Sequence, residues 1–241
     1  MWDHRRGALR RRSLSHEAAE TLRNHILVGD LAGIELRPDD IARRLGTSVT
    51  PAREALRQLV AEGLIDDTRG RGFHAVVLSR RDIEDVYRSQ ALLAGELAAR
   101  ACAESDPGLA VTLRRLHVEI AATNKQGRTA DAEGLNWELH RTINRAAGAP
   151  TLALLLRATL RFVPTHIYQL IAESPAIVGR GHRSIVEAFE ADDPDAARAA
   201  AAAHIEEVLR LVMAHFADDG YWARPSTRAQ DSSSAAETNR R

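Results

Sequence analysis

The chain has 241 residues, enough for one large domain or two modest ones, because about 70 residues already bury a small core. Thirty-three Lys and Arg balance thirty-three Asp and Glu, which excludes both a polycation that coats nucleic acid by bulk charge and an acidic solubilising chain. A single cysteine, Cys102, excludes an intramolecular disulfide frame or a one-chain thiolate zinc cluster and favours a reducing compartment, the cytoplasm. No apolar run approaches the roughly 18 residues that cross a bilayer, and the five arginines of Met1–Arg12 precede no secretory apolar core, so no membrane partner is expected. Aromatics make up 4% of a chain rich in Ala and Leu, a composition that fills helices.

The helical period begins near Ser15: Ala18, Leu22 and Ile26 recur every four residues, and this first helix ends near Gly29. Asp39 and Asp40 suit the first turn of a short second helix, Ile41–Leu45, closed by Gly46. Thr50-Pro51 reads as an N-cap followed by a first-turn proline. Ala52, Ala55, Leu56, Leu59 and Val60 then mark the buried face of a third helix that stops at Gly63. Leu64–Thr68 and Phe73–Leu78, joined by Arg69-Gly70-Arg71-Gly72, predict a β-hairpin with a basic tip.

From Arg80 onward every segment reads as helix. Breaks at Asp106-Pro107-Gly108, Gln126-Gly127, Gly148-Ala149-Pro150, Ser174-Pro175 and Asp192-Asp193-Pro194 delimit about six helices, one kinked at Pro164. The fold class expected is mainly α: an N-terminal winged helix-turn-helix followed by an all-helical antiparallel bundle. The boundaries are a disordered basic tail over 1–14, the winged unit over 15–79, the bundle over 80–220, and a disordered Ser/Thr/Arg-rich tail over 221–241. Residues 1–80 carry 14 arginines against 11 acids, but residues 13–80 alone carry 9 against 10, so placement and not bulk charge must argue for a nucleic-acid partner.

On the third helix Thr50, Arg53 and Arg57 fall on the side opposite Ala52, Leu56 and Leu59. A helix that follows a tight turn and points Thr and two Arg outward has the shape that enters a major groove. Ser48 and Thr50 are placed to reach phosphates, and Arg69 and Arg71 to meet the neighbouring backbone or minor groove. The segments "LAGIEL", "IARRLGTSVTPAREALRQLVAEGLI" and "RGRGF" resemble the winged helix-turn-helix of GntR-family transcription regulators, whose TP-x-REAL-x-x-L-x-x-EGL signature is nearly complete here. The resemblance covers Ser15–Leu78 and implies a homodimer that binds a palindromic double-stranded operator. Two departures stand out: Val49 replaces the usual Arg between Ser48 and Thr50, and Asp39 stands where some relatives place a DNA-contacting Arg.

In the second region Asn136 and His140 lie at i and i+4, one face of one helix. His182 is expected to start a later helix, and His204 to sit inside the last. Three imidazoles and an amide oxygen suit a divalent metal ion such as zinc or nickel, although ten histidines supply chance triplets and a packing role stays open for each. "NWELHRTINRAAG", "GHRSIVEAFEADDPDAARAAAAAHI" and the Asp82–Ala103 helix resemble the FCD effector domain of the FadR-like GntR branch. That resemblance implies a metal held by Asn136, His140, His182 and His204, with Asn136 standing for the usual Asp. It also implies a bundle cavity beside the metal, where open coordination positions suit a small carboxylate or hydroxy-acid effector. The inward Arg and Glu that relatives carry on the first helix fall at Gln90 and Ala94, with Arg88 and Glu96 as the alternative register, which makes Arg88 and Gln90 the effector-contacting candidates. Two other readings remain: a metal-free effector pocket, or a zinc-dependent hydrolase using Glu138 or Glu173 as base. The hydrolase reading has no HExxH pair, nucleophile elbow or phosphate loop behind it.

Overall fold

The computed structural model describes residues 14–68, 72–104, 107–163, 174–218 and 221. Two compact units divide the chain, the change falling between Ser79 and Arg80. The expected disorder of Met1–Arg12, the hairpin-tip Arg69 and Arg71, Pro164, Glu173 and the tail from Trp222 onward lie outside the described residues.

The first unit contains α1 (Leu14–Leu27), β1 (Glu35–Leu36), α2 (Pro38–Leu45), α3 (Val49–Ala61), β2 (Ile65–Thr68) and β3 (Gly72–Ala75). The four-residue repeat of α1 becomes its buried stripe of Ala18, Ala19, Leu22, Ile26 and Leu27. That stripe packs on α3, whose Ala52, Ala55, Leu56 and Leu59 are wholly buried while Val60 is half-buried. Each buried Leu or Ile contributes about 1.5–3 kcal/mol. A polar clamp closes the same contact: Arg23 donates from Nε and Nη2 to both oxygens of Glu62 at 2.9–3.0 Å, and Gln58 donates to Glu62 Oε1 at 3.0 Å. Gly46 takes φ +63° to turn the chain out of α2, a conformation that glycine adopts without strain.

Three local expectations change. Helix α1 already includes Leu14, which the expected tail had claimed. Helix α3 begins at Val49, with Ser48 and not Thr50 as its N-cap, because Ser48 has the extended backbone (φ −90°, ψ 165°) from which the helix starts. The hairpin is part of a three-stranded antiparallel sheet of order β1-β3-β2, with Glu35 opposite His74 and Leu36 opposite Phe73. A two-residue strand has too few positions for alternation to show in the sequence.

The second unit holds α4 (Arg80–Glu104), α5 (Pro107–Lys125), α6 (Thr129–Ala146), α7 (Pro150–Thr159) with a 3-10 turn Leu160–Phe162, α8 (Ser174–Glu190) and α9 (Pro194–Asp218). Its core is built from Leu97, Leu113, Leu116, Leu139, Ile185 and Phe189 among others, drawn from α4, α5, α6 and α8. Helix α8 runs through Gly179 and Gly181, so His182 lies inside the helix and not at its start. The stripe Val178, His182, Ile185, Val186 and Phe189 is buried along it, and tertiary packing outweighs the roughly 1 kcal/mol that each interior glycine costs. Tyr221, assigned to the disordered tail, is buried, its ring stacked on Phe216 with centroids 4.5 Å apart. Among the described residues no helix is long and apolar enough to cross a membrane.

Candidate functional site

Two surfaces carry the chemistry, one in each unit. On the first, Ser48, Thr50, Arg53 and Arg57 are all exposed, on the side of α3 away from Ala52, Leu56 and Leu59. Neither Arg53 nor Arg57 has a carboxylate partner among the described residues, so both guanidinium groups are available to phosphates or a guanine edge. Asp39 is exposed on α2, where neighbouring Asp40 pairs with Arg43 at 3.1 Å.

In the second unit α6, α8 and α9 converge three imidazoles. His140, His182 and His204 have ring centroids 4.8–5.2 Å apart, their candidate ligand atoms all lie within 4.8 Å of one another, and the Nε2 atoms of His140 and His182 are 3.4 Å apart. His182 and His204 are buried, and His140 is half-buried because it faces a cavity. Burial pushes His140 down to about 4, and burial followed by the neighbouring His140 pushes His204 down to about 3. His182 is lowered well below the usual imidazole value, first by burial and then by the other rings. All three are therefore neutral near pH 7, with ring-nitrogen lone pairs free to bind a cation.

Asn136, one turn before His140 on α6, is 7% exposed, and its Oδ1 is buried without a hydrogen-bond partner among the described residues. Three neutral imidazoles, with a buried acceptor one turn before His140 that has no partner among the described residues, make a donor set that suits a divalent metal ion, so the residues present fit one. Gly181 makes the arrangement possible: a Cβ there would stand 2.4 Å from Nδ1 of His204. His117 on α5, which no motif marks in the sequence, approaches His182 edge-on at 6.5 Å. Its place four residues after Leu113 and three before Ile120, both buried, was the available sign.

The cluster opens on a cavity of about 610 Å³ lined by Tyr87, Gln90 and Ala94 of α4, Asn136 and His140 of α6, and His204 of α9, among others. Gln90 is 2% exposed and donates to the Thr159 carbonyl at 3.3 Å. Arg88 does not line the cavity: it is exposed and lies 3.5 Å from Glu84 and 3.7 Å from Asp85 on its own helix, which corrects its placement among effector contacts. Glu96 likewise sits in exposed pairs with Arg100 and Arg198, so the inward register of α4 is Gln90 and Ala94. Three arginines not singled out in the sequence, Arg141, Arg145 and Arg157, stand on the cavity wall, exposed and with no carboxylate partner among the described residues. Glu138, the candidate base, is exposed and outside this lining.

Comparison with known proteins places both units. Residues 14–74 match the family described as bacterial regulatory proteins, gntR family, and residues 85–207 match the FCD domain. A probable D-xylose utilization operon transcriptional repressor of Paenarthrobacter nicotinovorans is 29% identical over 178 residues, covering 73% of this chain and 78% of its own. The HTH-type transcriptional regulator McbR of Escherichia coli strain K12 is 22% identical over 197 residues, 80% of this chain and 89% of McbR. The solved E. coli McbR/YncC structure shares the fold, with a TM-score of 0.63 over 85% of this chain and 99% of that one. A putative transcriptional regulator GntR from Rhodococcus sp. RHA1 does so with a TM-score of 0.56 at 18% identity, over 83% of this chain and 97% of that one. These relatives are transcription regulators, not enzymes, and with both units matched in order the chain belongs to the gntR family of bacterial regulatory proteins, a transcription regulator whose second unit is an FCD domain.

Proposed function

We propose that the protein is a cytoplasmic, homodimeric repressor of a palindromic operator, and that a small carboxylate or hydroxy-acid bound at a divalent metal, zinc or nickel, sets its affinity for DNA. The observation that carries this reading is the convergence of His140, His182 and His204, together with an Asn136 Oδ1 that has no partner among the described residues, beside a cavity that Asn136, His140 and His204 line. The three imidazoles and Asn136 would hold the ion, which when bound supplies positive charge that neutralises and orients a carboxylate. The amide of Asn136 brings no charge where an Asp would, so the ion keeps more of its own for the ligand. The cavity supplies room for the rest of the acid. On the DNA side Ser48 and Thr50 reach phosphates, Arg53 and Arg57 read or grip the groove, and Arg69 and Arg71, which follow β2 in the sequence, would meet the adjacent backbone or minor groove. An effector shifts operator affinity only by the difference in its own affinity for the DNA-competent and incompetent arrangements. The repressor assignment draws on the D-xylose relative.

The test is elemental analysis and operator binding of His182→Ala with His204→Ala. The double variant should lose bound metal and any effector response while keeping DNA affinity, and metal content equal to the parent's would overturn the ligand set. Arg141, Arg145 and Arg157, without a carboxylate partner among the described residues, favour a second reading, a metal-free carboxylate pocket. Purified protein without metal, yet responsive to acids, selects that reading.

A further inference from the structure

Tyr87 on α4 lines the cavity, is 2% exposed, and has a hydroxyl with no hydrogen-bond partner among the described residues. Among the described residues the fold does not use this group: burying a hydroxyl without an acceptor weakens a structure, and the ring alone would fill the space. Its neighbour one turn on, Gln90, is different: its amide nitrogen is committed to the Thr159 carbonyl and so ties α4 to the end of α7. Burial keeps the phenol protonated, so Tyr87 is a neutral O–H donor in search of an acceptor. Arg157, two residues before Thr159 on α7, lines the same cavity and lacks a carboxylate partner among the described residues. Ala94, Leu156 and Leu160 line it as well, so an apolar spine has wall to lie against. The volume of about 610 Å³ also exceeds what a carboxylate at a metal ion would fill alone.

We propose that the Tyr87 hydroxyl, with Arg157, recognises a second carboxylate, so that the effector class is a dicarboxylic acid with an apolar spine. This rests on the reading that a small acid occupies the cavity. It assigns to α4 and α7 a recognition role separate from that of the histidines.

Binding to the zinc-loaded full chain, followed by calorimetry, is compared for carbon-matched pairs: pentanoate with glutarate, hexanoate with adipate, heptanoate with pimelate. At least one dicarboxylate should bind tenfold or more tighter than its partner. Tyr87→Phe should cut that advantage to threefold or less, leaving zinc content and monocarboxylate affinity unchanged, and Arg157→Gln should reduce it as well. Because the hydroxyl that Tyr87→Phe removes has no partner among the described residues, the variant's melting temperature should equal or exceed the parent's. A fall of several degrees would show a structural hydroxyl and overturn the proposal. The absence of an advantage in every pair, or its survival in Tyr87→Phe, overturns it while leaving the acid-binding reading in place. If no acid of either series binds, both fall. If the advantage and its Tyr87 dependence persist after zinc is removed, this inference stands and the metal-anchored reading fails.

Discussion

Gly181→Ala tests whether the histidine cluster is a built site or a packing accident. The added methyl would lie 2.4 Å from Nδ1 of His204 and 3.0 Å from its Cγ, where ordinary contacts begin near 3.4 Å, so about 1 Å of displacement must be found. The ring of His204 has little freedom to yield: it is 4% exposed and packed 4.8 Å from His182 and 5.2 Å from His140. Either the imidazole swings out of the cluster or α8 and α9 move apart. Overpacking of this size costs roughly 1–3 kcal/mol, and alanine in place of a helical glycine returns about 1 kcal/mol, so net stability should fall by about 0–2 kcal/mol. Zinc affinity should fall far more, by tenfold or greater, because a ligand moved by 1 Å loses its coordination geometry. Gly179→Ala is the matched control on the same helix, since a Cβ there meets nothing within 4 Å. It should raise stability by about 1 kcal/mol and leave the metal alone. Competition against a chromophoric zinc chelator, with urea denaturation of the metal-free forms, separates the effects. Parental zinc affinity in Gly181→Ala, or equal loss in Gly179→Ala, would refute the reasoning.

The buried imidazoles also make metal-free stability depend on pH. Their folded values lie below that of the unfolded chain, so their contribution is complete above about pH 6.5 and is lost as pH falls toward about 4 for His140 and about 3 for His204; at pH 5 these two should each have lost roughly 2 kcal/mol relative to pH 7, and His182 shifts in the same direction. Urea midpoints of chelator-treated protein that match at pH 7 and pH 5 would contradict neutral, buried rings. Arg53→Ala should weaken operator binding and lower the slope of log affinity against log salt by about 1, measured by fluorescence anisotropy; an unchanged slope removes Arg53 from the DNA face. Glu62→Ala leaves the guanidinium of Arg23 half-buried and unpaired at the α1–α3 contact and should cost about 1–3 kcal/mol in urea denaturation, with Glu62→Gln milder. A loss below about 0.5 kcal/mol for Glu62→Ala would make the clamp ornamental.

Features that depend on residues within one or two helical turns are legible in the sequence itself. The repeat of Ala18, Leu22 and Ile26, the opposed faces of α3, and the i, i+4 placement of Asn136 and His140 follow from the 3.6-residue period acting on amphipathic stretches. Helix α4 shows where that logic ends. It is buried on most of its circumference, through Ile83, Tyr87, Gln90, Ala91, Leu97 and Cys102, so its pattern does not say whether Arg88 or Gln90 faces inward. Packing against α7 and α9 decides it. Likewise Gly179 and Gly181 look like a break by propensity, yet the helix continues because Val178, His182 and Ile185 bury along it. Local chemistry along the chain was enough to place most of the helices and the exposed arginines of α3. Only the tertiary structure could bring residues 140, 182 and 204 within reach of one ion and leave the Tyr87 hydroxyl, at the cavity, without a partner among the described residues, because distances between helices arise from how their side chains interlock, and spacing in sequence does not encode that.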